Sequence, residues 1–132
     1  MSDDLKRLQG IWYVVSLTMD GRSLPSAGFA GARISIDRDR FVSAAMGAEY
    51  GGTIQVHSAS CPKGFDLIFD AGPEAGNRNG GIYELDEEAW RICLNTRGAA
   101  RPESFDAAPG TGIVLEVLHR NPPVAAEAAP AS

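Results

Sequence analysis

The feature that most restricts the fold of this chain is a series of short β-type segments separated by turn signals. Between residues 10 and 120, stretches rich in Val, Ile, Phe, Tyr, Trp and Thr alternate with clusters of Gly, Pro, Asn and Asp. The turn signals recur roughly every 8–12 residues, a spacing typical of all-β sandwiches and barrels. No stretch after Gln9 keeps a helical period of hydrophobic residues. The sequence therefore predicts an all-β domain.

Short turns between consecutive strands favour an up-and-down meander. The β-type segment 11–19 ends at Asp20-Gly21, and the polar turn 37–40 separates two further segments. Closing such a meander into a barrel removes its exposed edge strands. We predict a single antiparallel up-and-down β-barrel of about eight strands, of the lipocalin-like kind.

The 132 residues make one ordinary domain with two short ends. Residues 1–9 are predicted to form an N-terminal lead or a short helical turn, because Leu5 and Leu8 lie three apart and Gly10 follows. Residues 10–120 are predicted to be the barrel. Residues 121–132 are predicted to be a disordered tail, because their Pro- and Ala-rich composition cannot bury a face.

Charge and composition restrict the partners and the compartment. The formal net charge is −5, which argues against nucleic acid and against an anionic membrane surface. The N-terminus lacks a signal-peptide pattern, and no apolar run approaches the ~20 residues of a membrane span. We expect a cytoplasmic protein in which Cys61 and Cys93 are small buried hydrophobes rather than a disulfide framework.

The two ends of the predicted barrel resemble the lipocalin pattern. That pattern has Gly-x-Trp on the first strand and Arg on the last strand, matched here by Gly10, Trp12 and Arg120. In a closed up-and-down barrel the first and last strands are neighbours. The guanidinium of Arg120 is therefore expected to lie over the indole of Trp12 in a cation–π contact.

Longer segments resemble a bacterial family of uncharacterised small lipocalin-like domains. These segments are Leu8-Gln9-Gly10-Ile11-Trp12, Gly52-Thr53, Pro62-Lys63-Gly64-Phe65-Asp66-Leu67, Gly72-Pro73-Glu74-Ala75-Gly76, Gly81-Ile82-Tyr83-Glu84-Leu85, Arg101-Pro102-Glu103-Ser104-Phe105 and Pro109-Gly110-Thr111-Gly112. The resemblance implies the barrel fold and no established reaction. The chain departs from the pattern at Glu87-Glu88-Ala89-Trp90, where the extra Trp would reshape a pocket.

No complete catalytic or metal-binding motif is present in the sequence. His57 and His119 are the only histidines, and the chain has no Cys-x-x-Cys, His-x-x-x-His or Gly-x-Ser-x-Gly. We predict no metal and no cofactor, and the catalytic residues, if any, stay unknown. His57 would be the proximal ligand of a haem-binding barrel, but a surface or rim position is favoured.

Strand register decides the environment of Asp66. If Phe65, Leu67 and Phe69 face the interior, Asp66 faces water, and we expect it to be exposed. The opposite register would bury the carboxyl, raise its pKa and make it a candidate general acid or base.

Five residues are predicted to bind a ligand: Trp12, Tyr50, Tyr83, Trp90 and Arg101. Aromatic walls with polar tips suit a mostly apolar ligand, although the same rings also pack an ordinary core. Arg101 is predicted either to form an ion pair at the rim, which is favoured, or to bind a ligand carboxylate.

Three functions are compatible with these observations. The first is a barrel that binds a small hydrophobic or aromatic molecule. The second is a cofactor-independent barrel enzyme, a cyclase or isomerase, which acts by shape and by exclusion of water. The third is a protein-interaction domain with a filled barrel, which would pair through an exposed strand or patch, for example as a homodimer.

Overall fold

A computed structural model describes residues 2–45 and 47–121 as one short α-helix, one 3₁₀ turn (Ser26–Phe29) and nine strands. The helix and strands are α1 (Asp3–Arg7), β1 (Gly10–Met19), β2 (Arg22–Ser23), β3 (Arg33–Asp37), β4 (Arg40–Ala45), β5 (Ala48–His57), β6 (Gly64–Ala71), β7 (Arg78–Leu85), β8 (Ala89–Asn95) and β9 (Ile113–His119). Within these ranges no helix is long and apolar enough to cross a bilayer. Apart from Asn121, the tail predicted at 121–132 lies outside the described residues.

Eight strands form a closed antiparallel barrel. Each strand from β3 to β9 pairs with its predecessor in the ring, and β9 pairs back onto β1. The two-residue β2 adds to β1 outside the ring. The predicted up-and-down barrel is therefore confirmed.

Strand β1 closes the ring because it pairs with two neighbours. Its first residues, from Gly10 to Tyr13, pair with β3, and its later residues, from Tyr13 to Met19, pair with β9. The register shifts between Val14 and Ser16. Such a bulge bends a strand and increases its twist. The bend lets one strand follow the curvature of both neighbours.

Helix α1 covers one end of the barrel. Leu5 and Leu8 are buried against the core. The Trp12 indole N–H donates to the Leu8 carbonyl at 2.9 Å, and the Tyr83 hydroxyl donates to the Asp4 carboxylate at 2.5 Å. We call this end the closed end. The opposite rim carries the long connections 20–32 and 96–112.

Arg120 connects the last strand to the start of the first. Its guanidinium carbon lies 3.8 Å from the centroid of the Trp12 ring, which confirms the predicted cation–π contact. The same guanidinium donates to the Gln9 carbonyl at 2.8 Å and to the Arg7 carbonyl. Gly10 has φ 107°, and a Cβ there would lie 3.3 Å from the guanidinium. Glycine therefore permits this close approach.

We expect Arg120→Ala to lower the free energy of unfolding by about 2–3 kcal/mol, because it removes a cation–π contact and two charge-assisted hydrogen bonds. Urea denaturation at neutral pH measures the loss. Arg22→Ala, on the exposed strand β2, is the control and should change little. An equal loss in both variants would show that Arg120 has no special role in closing the barrel.

Candidate functional site

Strand register and burial together identify the side chains that face the barrel interior. On β6 these are Phe65, Leu67 and Phe69, as expected for one of the two registers considered for that strand. The other large interior residues include Trp12, Val14, Leu17, Ile34, Ile36, Phe41, Ile54, Tyr83, Trp90, Ile92, Leu94, Val114 and Leu118. Most of the interior is therefore apolar and aromatic.

One carboxyl group lies among these apolar residues. Glu116 is near the middle of β9, directly between the inward-facing Val114 and Leu118. Its cross-strand partners are Leu17 on β1 and Ile92 on β8, which both belong to the core. Directly paired residues point to the same face of a sheet. The Glu116 side chain therefore points into the barrel.

The apolar surroundings change the acidity of Glu116. Burial raises the pKa of Glu116 to about 7, because desolvation disfavours the charged form. No side chain among the described residues forms an ion pair or a hydrogen bond with it. The residue is nevertheless only half-buried by accessible area. An inward-facing carboxyl that keeps accessible surface is not completely enclosed by the core side chains around it.

Two other polar groups of the interior lack protein partners within the described ranges. The Trp90 Nε1 atom is buried and has no hydrogen-bond partner. Asn79 is 4% exposed and pairs in register with the inward-facing Leu67, and no hydrogen bond between described residues involves its side chain. A buried polar atom without a partner, as at Trp90, costs about 1–3 kcal/mol. The polar groups of the interior are therefore the Glu116 carboxyl, the unpaired Trp90 N–H and the Asn79 amide.

Two cavities lie at the rim opposite the closed end. One of about 240 Å³ is lined by Met19, Asp20, Thr96, Arg97, Gly112, Ile113 and Val114. Val114 precedes Glu116 by two residues on the same face of β9, a separation of about 7 Å. The other, of about 430 Å³, is lined by Ala30, Gly31, Arg33, Ala44, Ala45, Gly47, Ala48 and Glu49. Glu116 lines neither cavity, and the first approaches it through Val114.

Three of the predicted ligand-binding residues lie together near the closed end. The rings of Trp12 and Trp90 are 5.7 Å apart, and Phe65 lies 6.3 Å from Trp90 and 6.2 Å from Tyr83. The Tyr83 hydroxyl already donates to Asp4, and burial raises its pKa far above the usual range. Trp12 and Tyr83 therefore have their polar atoms bonded within the protein, whereas Trp90 does not.

The other two predicted residues lie elsewhere. Tyr50 is half-buried on β5, with its ring 6.2 Å from that of Phe69. Arg101 lies outside the barrel, on the connection 96–112, where it donates to Asp66 at 2.5 Å. The structure does not bring Arg101 to the interior with the aromatic residues.

The expectation that the Asp66 carboxylate is exposed was wrong. It faces outward as the register predicted, but it is only 1% exposed. The connection 96–112 crosses the outer face of the sheet at this point and covers Asp66. A Cβ on Gly64 would lie 2.9 Å from the Arg101 side chain, and one on Gly80 would lie 2.2 Å from the Ala99 carbonyl oxygen. Both glycines therefore make room for the crossing chain.

Three donors converge on one oxygen of Asp66. Arg101, His57 and Arg78 lie 2.5, 2.9 and 3.2 Å from Oδ2. Burial alone would raise the pKa of Asp66, but the His57 hydrogen bond and the two guanidinium groups outweigh it and hold the pKa below its usual range. Asp66 is therefore a stable anion that anchors the crossing connection, not a general acid.

The two cysteines have different environments. Both are free. Cys93 is fully buried on the outer face of β8, beneath residues 104–106, and burial raises the pKa of its thiol. Cys61 is exposed, so the expectation of a buried hydrophobe was right for Cys93 and wrong for Cys61. Cys61 lies in the turn between β5 and β6, and it is not part of the core.

Glu116 was missed by the sequence analysis, although the chain contains a signal for it. The last strand reads Ile113-Val114-Leu115-Glu116-Val117-Leu118, with one charge in an otherwise apolar run. Because residues on both faces of this strand are apolar, the sequence alone does not show which face points into the barrel. The pairing with β1 and β8 resolves this ambiguity.

Comparisons with known proteins give no relative for this chain. No protein-family model, no curated protein and no solved structure matches it. The resemblance to the small lipocalin-like family therefore stays a prediction. Within residues 2–45 and 47–121, no group of three His, Cys, Asp or Glu side chains is placed to hold a metal ion.

Glu116 gives the stability of the protein a specific pH dependence. Because burial raises the pKa of Glu116 from 4.5 to about 7, its contribution to the unfolding free energy is fully present below a pH of about 4.5 and is lost as the pH rises through about 7. We expect the unfolding free energy of the wild type, relative to Glu116→Gln, to fall by up to about 3 kcal/mol between pH 4 and pH 8. Urea denaturation of both proteins across this range measures the difference. Parallel curves would contradict an interior carboxyl.

We expect Asp66→Asn to destabilise the protein by about 2 kcal/mol or more at pH 7, because three cationic or polar donors lose a buried anion. Because the pKa of Asp66 is lowered, the loss should shrink as the pH falls below about 4. Asp70→Asn is the matched control on the same strand, since the Asp70–Arg40 pair is exposed. A larger loss at Asp70 than at Asp66 in urea denaturation would refute the anchoring role.

Proposed function

We propose that this protein binds a small, mostly apolar molecule inside its barrel. The observation that carries the proposal is the unpaired Glu116 carboxyl on an inward position of β9, with accessible surface in an otherwise apolar interior. Ligand pockets typically combine apolar walls with a few polar groups that orient the ligand. Glu116, Asn79 and the Trp90 N–H supply that combination here.

The energetic cost of burying the Glu116 carboxyl favours a ligand-binding barrel over a barrel with a filled interior. Burial moves its pKa from 4.5 to about 7, which corresponds to about 3 kcal/mol of unfavourable desolvation for the charged form. A barrel that only needed a packed core would gain stability from an aliphatic residue at this position. Strongly perturbed titratable groups in concave sites are candidates for function. The cavity at the rim reaches Val114, the preceding inward-facing residue of the same strand, which is consistent with this reasoning.

The first experiment tests whether the interior is occupied. Native mass spectrometry of freshly purified protein is expected to reveal a bound small molecule, and a panel of small apolar alcohols including 2-phenylethanol is expected to raise the Tm. Val114→Trp fills the cavity at the rim and should abolish the shift. Val42→Trp, on the exposed outer face of β4, is the matched control and should preserve it.

A clean apo mass with no Tm shift for any ligand would contradict the binding proposal. It would favour the filled interaction domain. For that alternative, Ile11 and Val42 are 46% and 44% exposed, and both pair with Ser35 on the outer face. A homodimer through this row and a cytoplasmic location stay predictions.

Glu116 also favours a second candidate function, a cofactor-independent cyclase or isomerase. A carboxyl with a pKa of about 7 both accepts and donates a proton near neutral pH, as general acid–base catalysis requires. An apolar barrel would fold a flexible substrate around this group and exclude water. Recovery of a chemically changed ligand from the wild type, but an unchanged ligand from Glu116→Gln, would support this function over simple binding.

A further inference from the structure

The outer face of strands β1, β3, β4 and β5 carries an exposed, partly apolar row. Ile11 pairs in register with Ser35, Ser35 pairs with Val42, and Val42 pairs with Gly51, so the four residues lie side by side across the sheet. Ile11 and Val42 are 46% and 44% exposed. Ser35 and Gly51 are small and do not rise above their neighbours. A second flat surface can therefore approach this row closely.

Charged residues flank the row on the same outer face. The next outward positions in one direction along the strands include Arg33 on β3 and Glu49 on β5. The next outward positions in the other direction include Asp37 on β3 and Arg40 on β4. These four charges sum to zero, although the whole chain has a formal net charge of −5. The face is therefore locally neutral, and it opposes the approach of a second copy less than the net charge suggests.

Arg33 and Asp37 have no ion partner among the described residues. Neither forms a salt bridge there, whereas Arg40 pairs with Asp70. Arg33 and Asp37 cannot pair with each other, because four residues of strand separate them by about 13 Å. Both are exposed on one face of β3. A surface that presents the same two charges in the reverse order would pair both of them.

We propose that two copies of this chain pack face to face through the row, related by a twofold axis that runs along it. A half-turn about an axis perpendicular to β3 at Ser35 reverses the direction of the strand. Arg33 then lies opposite the partner's Asp37, and Asp37 lies opposite the partner's Arg33. Such self-complementary twofold interfaces are the commonest in soluble homo-oligomers. The face is on the outside of the barrel, so the dimer does not depend on the proposed ligand binding.

The same axis determines the contacts of the apolar residues. Ile11 and Val42 lie in the row on either side of Ser35 and therefore close to the axis. Each one faces its own copy, so apolar area meets apolar area. Packed sheets lie about 10 Å apart at an angle of about 30°. The long Arg33 side chain can span this separation and adjust to the angle, and an arginine–carboxylate contact is a charge-assisted hydrogen bond.

The size of the face sets the strength of the dimer. Four strands about 4.8 Å apart and three outward rows about 7 Å apart cover on the order of 400 Å² on each copy. A stable interface buries about 800 Å² on each partner. The dimer is therefore weak, with a Kd on the order of 100 µM.

A charge exchange within one chain tests this geometry. Sedimentation equilibrium of the full chain, from about 10 µM to about 1 mM, should show dimerisation with a Kd in this range. Arg33→Asp places like charges opposite each other in both contacts and should weaken the dimer at least about tenfold. The double variant Arg33→Asp/Asp37→Arg restores opposite charges and should return the Kd to within about threefold of the wild type. Arg22→Asp, the same charge change on the exposed strand β2, is the control and should leave the Kd unchanged.

A cross-linking experiment tests the position of the axis. Val42→Cys in a Cys61→Ser background places one exposed thiol beside the axis, since Cys93 is buried. A short bismaleimide should then join two copies. Glu84→Cys in the same background, on the outer face of β7, is the control and should stay uncross-linked.

The results that would overturn the inference are distinct from failure of ligand binding. A protein that stays monomeric up to about 1 mM has no such dimer. A dimer that Arg33→Asp leaves intact, or that cross-links as well through Glu84→Cys as through Val42→Cys, uses another surface. A double variant that folds with the Tm of the wild type but stays monomeric would refute the Arg33–Asp37 pairing. A bound small molecule in native mass spectrometry, or its absence, changes none of these outcomes.

Discussion

The rest of this structure depends on the closure of the sheet through β1. That strand pairs with β3 and β9, with a bulge between Val14 and Ser16 that bends it around the ring. Closure leaves no free edge in the ring, and it divides the side chains of every strand into an inner and an outer set. The contact of Arg120 with Trp12 holds the two chain ends at the junction. This division decides which side chains can contribute to a site inside the barrel.

The outer set explains two of the segments that suggested a family pattern. The segment 62–67 contains Gly64 and Asp66, the segment 101–105 supplies Arg101 and Phe105, and both meet where the connection 96–112 crosses the sheet. Arg91 lies over the Phe105 ring at 4.3 Å and holds the same connection further along. These residues keep a long loop against the barrel. They account for fold and stability rather than for chemistry.

The side chains that point into the barrel are the ones that indicate a function. A domain of this size gains its stability mainly from apolar burial, so an unpaired interior carboxyl works against folding. Glu116 is such a group, and Asn79 and the Trp90 N–H add to the polar capacity of the same interior. A bound molecule that forms hydrogen bonds with these groups would remove this cost, and the free energy regained would add to its binding affinity. Local conflicts between a residue and its surroundings are expected at functional sites.

The sequence by itself predicted the strand segments and the closed meander, because turn signals and hydrophobic composition are local properties. The Arg120–Trp12 junction was predicted from the resemblance of Gly10, Trp12 and Arg120 to the lipocalin pattern. It also predicted which parity of β6 faces inward if the aromatic residues are buried. Only the tertiary structure decided that Glu116 points inward, that Asp66 is covered and that Arg101 lies outside. The reason is physical: side chains alternate with a period of two, so a one-residue change of register exchanges the two faces. Cross-strand pairing and the path of the connection 96–112 are long-range properties that no local pattern contains.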